Sequence, residues 1–335
     1  MSAQFSPLLV RVHLFPTSSS ARGRSLFYAV RHQFPFEERR LVQRATTTQT
    51  AEIATRGPQR PLVLGWTEAA LPQGATSGAS ELAAGSSRAH VREAEALPLR
   101  RLREEAASGI TDGIYRKVQV EFAYHSNRID GGALSCGQVR RIFETGTVGA
   151  GDGPVRFDDV IEVANHFCCV DYLLQKAHRP ICADMLRCLH TISKRGTSAA
   201  AREWFTVGDW KLLPNEVGGR TTTSPEDVNC AIASLLEAYE PQRAHSFEEI
   251  VDFHVRFERI HPFQDGNGRV GRLVMFKECL ASGIVPFVLT DDMKPAYFRG
   301  LAEWDDEPGC LTNVCLAAQD QFKTWLEHFR IPYEG

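Results

Sequence analysis

No two cysteines in this chain stand in CxxC spacing, and none of its nine cysteines precedes Cys136. An odd number of scattered thiols, mostly inside apolar helical patterns, excludes a disulfide framework and a thiolate zinc site. It implies a reducing compartment, and the expected location is the cytoplasm. No apolar run approaches the roughly 18 residues that cross a bilayer, so no membrane span is expected. A dominant charge of one sign is also missing: 38 Lys and Arg stand against 41 Asp and Glu, a formal net charge of -3. That balance excludes the broadly basic surface that nonspecific binding to nucleic acid or anionic lipid requires. Small molecules and proteins are the expected partners. There is no convincing internal repeat.

What is present divides unevenly. The first 95 residues carry biased stretches (TSSSARGRS, RATTTQTAE, ATSGASELAAGSSRAH) and no sustained period of 3.6 or 2, so disorder is expected there. Before Glu37 there is no acidic residue, while Arg11, Arg22, Arg24 and Arg31 are basic. That is also the composition of a mitochondrial presequence, although a dispensable extension is the plainer reading. From about Leu97 the pattern is helical. Ile114, Val118, Phe122, His125 and Ile129 line one face of a helix ending at Gly131-Gly132. A helix is expected over 157–176, with Phe157, Ile161, Ala164, Cys168 and Tyr172 as its buried edge. Another should start at Ser224-Pro225-Glu226-Asp227 and run to Tyr239. Ser246 and Glu249 form a capping box before the helix from Phe247 to Ile260. Between Trp204 and Thr222, Gly208-Asp209, Pro214-Asn215 and Gly218-Gly219 predict a short hairpin or ordered loop. The expected fold class is therefore all-α, about eight helices carrying one small β flap.

The segment HPFQDGNGRVGR joins two helices, and it concentrates the chemistry. His261 ends the first helix, and Pro262 breaks it. Gly266 and Gly268 let backbone amides approach a ligand at the N-terminus of the second, a ready anion site. Arg269 and Arg272 share one face of that helix's first turns. Cations there oppose the helix dipole by about 0.3–1 kcal/mol each, and a bound anion would offset this. Adjacent amides with two arginines suit a di- or triphosphate. Asp265 could hold Mg²⁺ beside it, and His261 could take a proton from an attacking hydroxyl near neutral pH. Each feature alone has an ordinary structural meaning; their concurrence in one helix-loop-helix points to nucleotide chemistry.

The segment resembles the signature of the Fic family, His-Pro-Phe-x-Asp/Glu-Gly-Asn-Gly-Arg-x-x-Arg, at every specified position. Similarity extends from about Tyr115 to the C-terminus, including the flap GDWKLLPNEVGGR and the later AYFRGL. The resemblance implies a Fic-type helical bundle in which His261 is the base and Asp265 holds Mg²⁺. It implies that Gly266, Asn267 and Gly268 line the anion hole, while Arg269 and Arg272 meet the β- and γ-phosphates of ATP. Phe263 would anchor the loop in the core. Val217, Gly218 and Gly219 would border the nucleotide, on a flap that holds the target protein as an added strand. Tyr297 would line the base pocket, with Phe298 in place of a second tyrosine. Upstream, YHSNRIDGG resembles the family's inhibitory helix motif, with Ser126 in place and Asp130 where glutamate is usual. The shorter acid is expected to hold Arg272 more weakly, or to be only a helix-end acid.

The implied division is a disordered extension over 1–95, N-terminal helices over 96–178, a catalytic core over 179–305 and a C-terminal helix over 306–335. The implied activity is transfer of AMP from ATP to a Ser, Thr or Tyr hydroxyl of a target protein, with partial autoinhibition and possible self-modification or homo-oligomerisation. Removal of such a group, use of another nucleotide, and a regulatory or toxin-antitoxin module that only binds nucleotide are the competing readings.

Overall fold

The computed structural model describes residues 97–149 and 154–333; the expectations for residues 1–95 fall outside them. The described chain is all-α apart from one two-stranded ribbon. Ten helices follow in order: α1 Leu97–Ser108, α2 Ile114–Ile129, α3 Cys136–Thr145, α4 Phe157–Lys176, α5 Ala183–Lys194, α6 Val228–Tyr239, α7 Phe247–Ile260, α8 Asn267–Ala281, α9 Lys294–Glu303 and α10 Pro308–His328. Between α5 and α6 lie β1 Glu216–Val217 and β2 Arg220–Thr221, paired antiparallel with Val217 opposite Arg220. Gly218 and Gly219 turn this ribbon with φ of 58° and 75°, the left-handed pair that a two-residue hairpin needs.

The helix ends follow local chemistry. α7 starts at the expected capping box, with Ser246 accepting from the Glu249 amide while the Glu249 side chain accepts from the Ser246 amide. α3 begins with the same device built from Ser135 and Gln138. α2 stops where Gly131 takes φ 95° and the Gly132 amide reaches back 2.7 Å to the Asn127 carbonyl.

Two sequence expectations shift. The helix foreseen at Ser224 begins at Val228, because Ser224 to Asp227 first close a turn through a 3.1 Å bond from the Asp227 amide to the Ser224 carbonyl. On α4 the buried apolar residues are Val163, Cys169, Val170, Leu173 and Leu174, whereas Phe157 is exposed and Ile161, Ala164, Cys168 and Tyr172 are only half-buried. The helix packs against both α2 and α5, and this double contact turns its buried face away from the single edge read from spacing. The hairpin signal also narrows: Phe205 and Trp210 are buried, but the strands occupy only Glu216–Thr221, so most of the segment is ordered loop.

The principal core runs from Leu99 through Phe122, Val170 and Phe257 to Phe322 and Ile331, drawing on helices from both ends of the described chain. α8 lies inside it, buried on every face from Arg269 to Leu280. Phe263, in the turn before α8, is fully buried, stacked on His190 with centroids 4.1 Å apart and tilted against Trp210. Its backbone is clamped by Asn267, whose side chain accepts from the Phe263 amide and donates to the Phe263 carbonyl, each at 2.8 Å. Phe263→Ala is expected to lower unfolding free energy by about 3–5 kcal/mol, read from the midpoint of urea denaturation; a loss under about 1 kcal/mol would show that the ring does not anchor the loop.

Candidate active site

The turn between α7 and α8 brings the expected residues together at one helix N-terminus. Gly266 caps α8 with φ 84°, and no side chain caps the first amides. The stem of Lys194 lies under it: an added Cβ at Gly266 would stand 3.4 Å from Lys194 Cδ. At Gly268 a Cβ would stand 2.8 Å from Arg272 Nη1 and 3.2 Å from Asp130 Oδ1, so any larger residue there would press on the ion pair.

Arg269 and Arg272 are almost wholly buried. Sequence reasoning assigned the offset of their charge to a bound anion; in the structure the chain's own carboxylates supply it. Asp130, the C-cap of α2, meets both arginines, Arg272 Nη2 at 2.9 Å and Arg269 Nε at 3.1 Å. Glu162 on α4 lies 2.7 Å from Arg269 Nη1 and 2.7 Å from the ammonium of Lys194, which is itself 1% exposed. Lys194 also pairs with Asp265. Three carboxylates and three cations thus form one chain across α2, α4, α5 and α8. Ser126 completes the hold on Arg272, its Oγ accepting from Nε at 3.1 Å and its carbonyl from Nη2 at 2.9 Å. Asp130 stands at the helix end, close enough to reach both guanidiniums.

Burial works to raise the Asp265 carboxyl, but Lys194, Arg269 and the Gly266 amide hold it down at about 2. It is therefore ionised and, at 57% side-chain exposure, open to a cation. His261 takes φ 50°, a left-handed conformation unusual for a non-glycine residue and of the kind that collects at functional sites. Its Nδ1 lies 3.3 Å from the Glu258 carbonyl, which can only accept; the proton is thereby assigned to Nδ1. Nε2 keeps its lone pair and has no hydrogen-bond partner among the described residues. Burial pushes the imidazole down to about 4, so it is neutral over the physiological range, below the near-neutral value expected from the residue type.

The flap is stapled to this turn. Lys211 donates from its ammonium to Asn215 Oδ1 at 2.7 Å and Thr222 Oγ1 at 2.6 Å, and its amide donates to the Pro262 carbonyl at 2.8 Å. Asn215 donates to the Phe263 carbonyl, and the Gln264 side chain accepts from the Leu213 amide. Beyond these anchors Val217, Gly218 and Gly219 are exposed. Tyr297, expected at a base pocket, is instead buried, its hydroxyl 2.7 Å from His254 Nε2, and the exposed ring beside it is Phe298. Sequence reasoning did not find Glu162, Lys194 or Glu258. Only Glu258 had a usable signal, an acid one helical turn before His261.

Residues 180–279 match the model of the Fic/DOC family. A Fic-domain-containing signalling protein from Bacteroides thetaiotaomicron is 27% identical, with a TM-score of 0.51 over 64% of this chain and 84% of that one. Fic-1 of C. elegans shares the fold at 21% identity, with a TM-score of 0.54 over 74% of this chain and 79% of that one. The protein adenylyltransferase fic-1 of Caenorhabditis briggsae is 28% identical over 191 residues, covering 56% of this chain and 36% of the relative. The chain thus spans about a third of the length of the curated relatives it matches. The helical domain is thus similar to the Fic/DOC family over residues 180–279, the stretch that contains the buried N-terminus of α8.

Asp265 gives the site a pH signature. Its folded value of about 2 lies below the ordinary 3.8, so its contribution to stability is present above the latter and is lost as pH falls toward the former. The melting temperature of the parent is expected to fall more steeply than that of Asp265→Asn between about pH 4 and pH 2. Parallel curves would mean that the Lys194 pair adds nothing to the fold.

Proposed function

We propose that this chain is a protein adenylyltransferase, moving AMP from ATP to the hydroxyl of a Ser, Thr or Tyr on a target protein. The observation that carries the reading is the pairing of a histidine whose Nε2 lone pair is uncommitted with a helix N-terminus bearing two buried arginines. The amides of Gly266, Asn267 and Gly268 would cradle phosphate, with Arg269 at the β- and Arg272 at the γ-phosphate. Asp265, ionised and open, fits the single carboxylate ligand that Mg²⁺ takes beside phosphates. Bound there, Mg²⁺ would neutralise phosphate charge. The acceptor oxygen forms a bond to the α-phosphorus, the bond from that phosphorus to the bridging oxygen breaks, and pyrophosphate leaves with the electron pair. The acceptor proton goes to His261 Nε2. A module that only bound nucleotide would need the cradle but no such lone pair.

Val217, Gly218 and Gly219, on an exposed ribbon whose base is fixed, suit a target strand laid along the flap. Asp130 supports a built-in brake: the carboxylate that pairs Arg272 and Arg269 stands where the phosphates would go. The brake is partial, since one carboxylate that is 24% exposed competes with a triphosphate of greater charge.

Incubation with labelled ATP and Mg²⁺ tests both halves. His261→Ala is expected to lose transfer by about 10²- to 10⁴-fold while still binding nucleotide. Comparable labelling by that variant and the parent would sink the base assignment. Asp130→Gly is expected to raise self-modification above that of the parent; no increase would leave Asp130 as a helix-end acid.

A further inference from the structure

One turn before His261 on the same helix stands Glu258. Its side chain is 12% exposed, and its Oε1 is buried with no hydrogen-bond partner. Its Oε2 lies 3.7 Å from His261 Nδ1, the ring nitrogen that carries the proton. α8 makes room for this carboxyl: a Cβ at Gly271 would stand 2.9 Å from Glu258 Oε1 and 2.6 Å from His254 Nδ1. An unpaired buried polar atom costs about 1–3 kcal/mol, and more when it carries charge. Arg272, the cation that acts on Glu258, directs its hydrogen bonds to Ser126 and Asp130 instead. Structural pairing therefore does not account for an acid in this place.

Resting on the adenylyltransferase reading, we propose that Glu258 is a positioning residue for the His261 base, its carboxylate pairing with the imidazolium that forms when Nε2 takes the acceptor proton. In that step the imidazole gains a positive charge where burial disfavours charge. A carboxylate beside Nδ1 offsets this and keeps the ring in the tautomer that leaves Nε2 open, the division of labour of a histidine-carboxylate pair in hydrolytic triads.

The ionisation of the surroundings fits. Burial pushes Glu258 up to about 7 and His261 down to about 4, so just above neutrality Glu258 has shed its proton beside a neutral ring able to accept one. The groups facing the pair are His254 on α7, Arg272 on α8, Asp130 at the end of α2, Tyr297 on α9, Asp265 in the turn and Lys211 at the flap. His254 is held neutral by burial and Tyr297 is held protonated. Lys211, lowered by burial to about 8, is the other group here whose charge changes near neutrality, and it serves as the internal control.

The test is an NMR titration of the His261 ring in the full chain, for the parent, Glu258→Gln and Glu258→Asp, with the melting temperature of each recorded. The parent resonance is expected to inflect near pH 7 as Glu258 ionises. That inflection should vanish in Glu258→Gln and persist, weakened, in Glu258→Asp, which also decides the matter if the glutamine variant unfolds. In transfer assays Glu258→Gln is expected to lower kcat by about 10- to 100-fold, in keeping with a base deprived of its counter-charge. It should leave the KM for ATP nearly unchanged and flatten the rise of rate through neutral pH, with partial rescue by Glu258→Asp. Identical His261 titrations in the parent and Glu258→Gln would overturn the proposal. A parent that transfers no nucleotide would overturn the transferase reading instead, while the titration still decides the role of Glu258.

Discussion

Arg269 and Arg272 stand in the first turns of α8, where the helix dipole already places positive charge, and both are almost entirely out of water. Two guanidiniums in that position are tolerable only if they are paired, because a buried charge stripped of its partner costs about 3–5 kcal/mol. Asp130, Glu162 and Asp265 meet the need, each from a different element, and Lys194 balances the last two. The ionic chain thereby links the end of α2, one face of α4, the end of α5 and the turn before α8.

The same pairing bears on how the proposed site would fill. On the proposed reading, phosphate oxygens enter by exchange, each taking over a guanidinium that Asp130 or Glu162 now occupies, so the arginines need not be exposed unpaired at any stage. On that reading the occupancy of the cradle would be set by a contest between carboxylates of the chain and phosphates of the nucleotide. His261 lies outside that contest. Its ring is set by the helix end, with Nδ1 turned toward Glu258, and its lone pair is available whichever anion holds the arginines.

Much of this was legible in the sequence. The helices around the site announced themselves through Ser246 and Glu249, Gly131-Gly132 and the period of Ile114, Val118 and Phe122, all local signals that tertiary contacts did not override. The residues of the turn were legible because their spacing is a local property of one helix-loop-helix. Glu162 and Lys194 were not, since 32 residues separate them in the chain and only packing of α4 on α5 brings them together. The face of α4 was misread for a related reason: a helix covered on two sides no longer shows one apolar stripe. Tyr297 shows the same limit, because its hydroxyl meets His254 across 43 residues of chain.

The functional reading stands on a phosphate cradle formed by the Gly266 cap and the first amides of α8. It is tested most directly by titrating the ¹⁵N-labelled protein with ATP and Mg²⁺ and following the amide resonances of Gly266, Asn267 and Gly268. The largest saturable shifts are expected at these three positions, together with the side-chain Nε signals of Arg269 and Arg272 as Asp130 is displaced. Saturable binding that leaves these five signals in place and moves others would contradict the account.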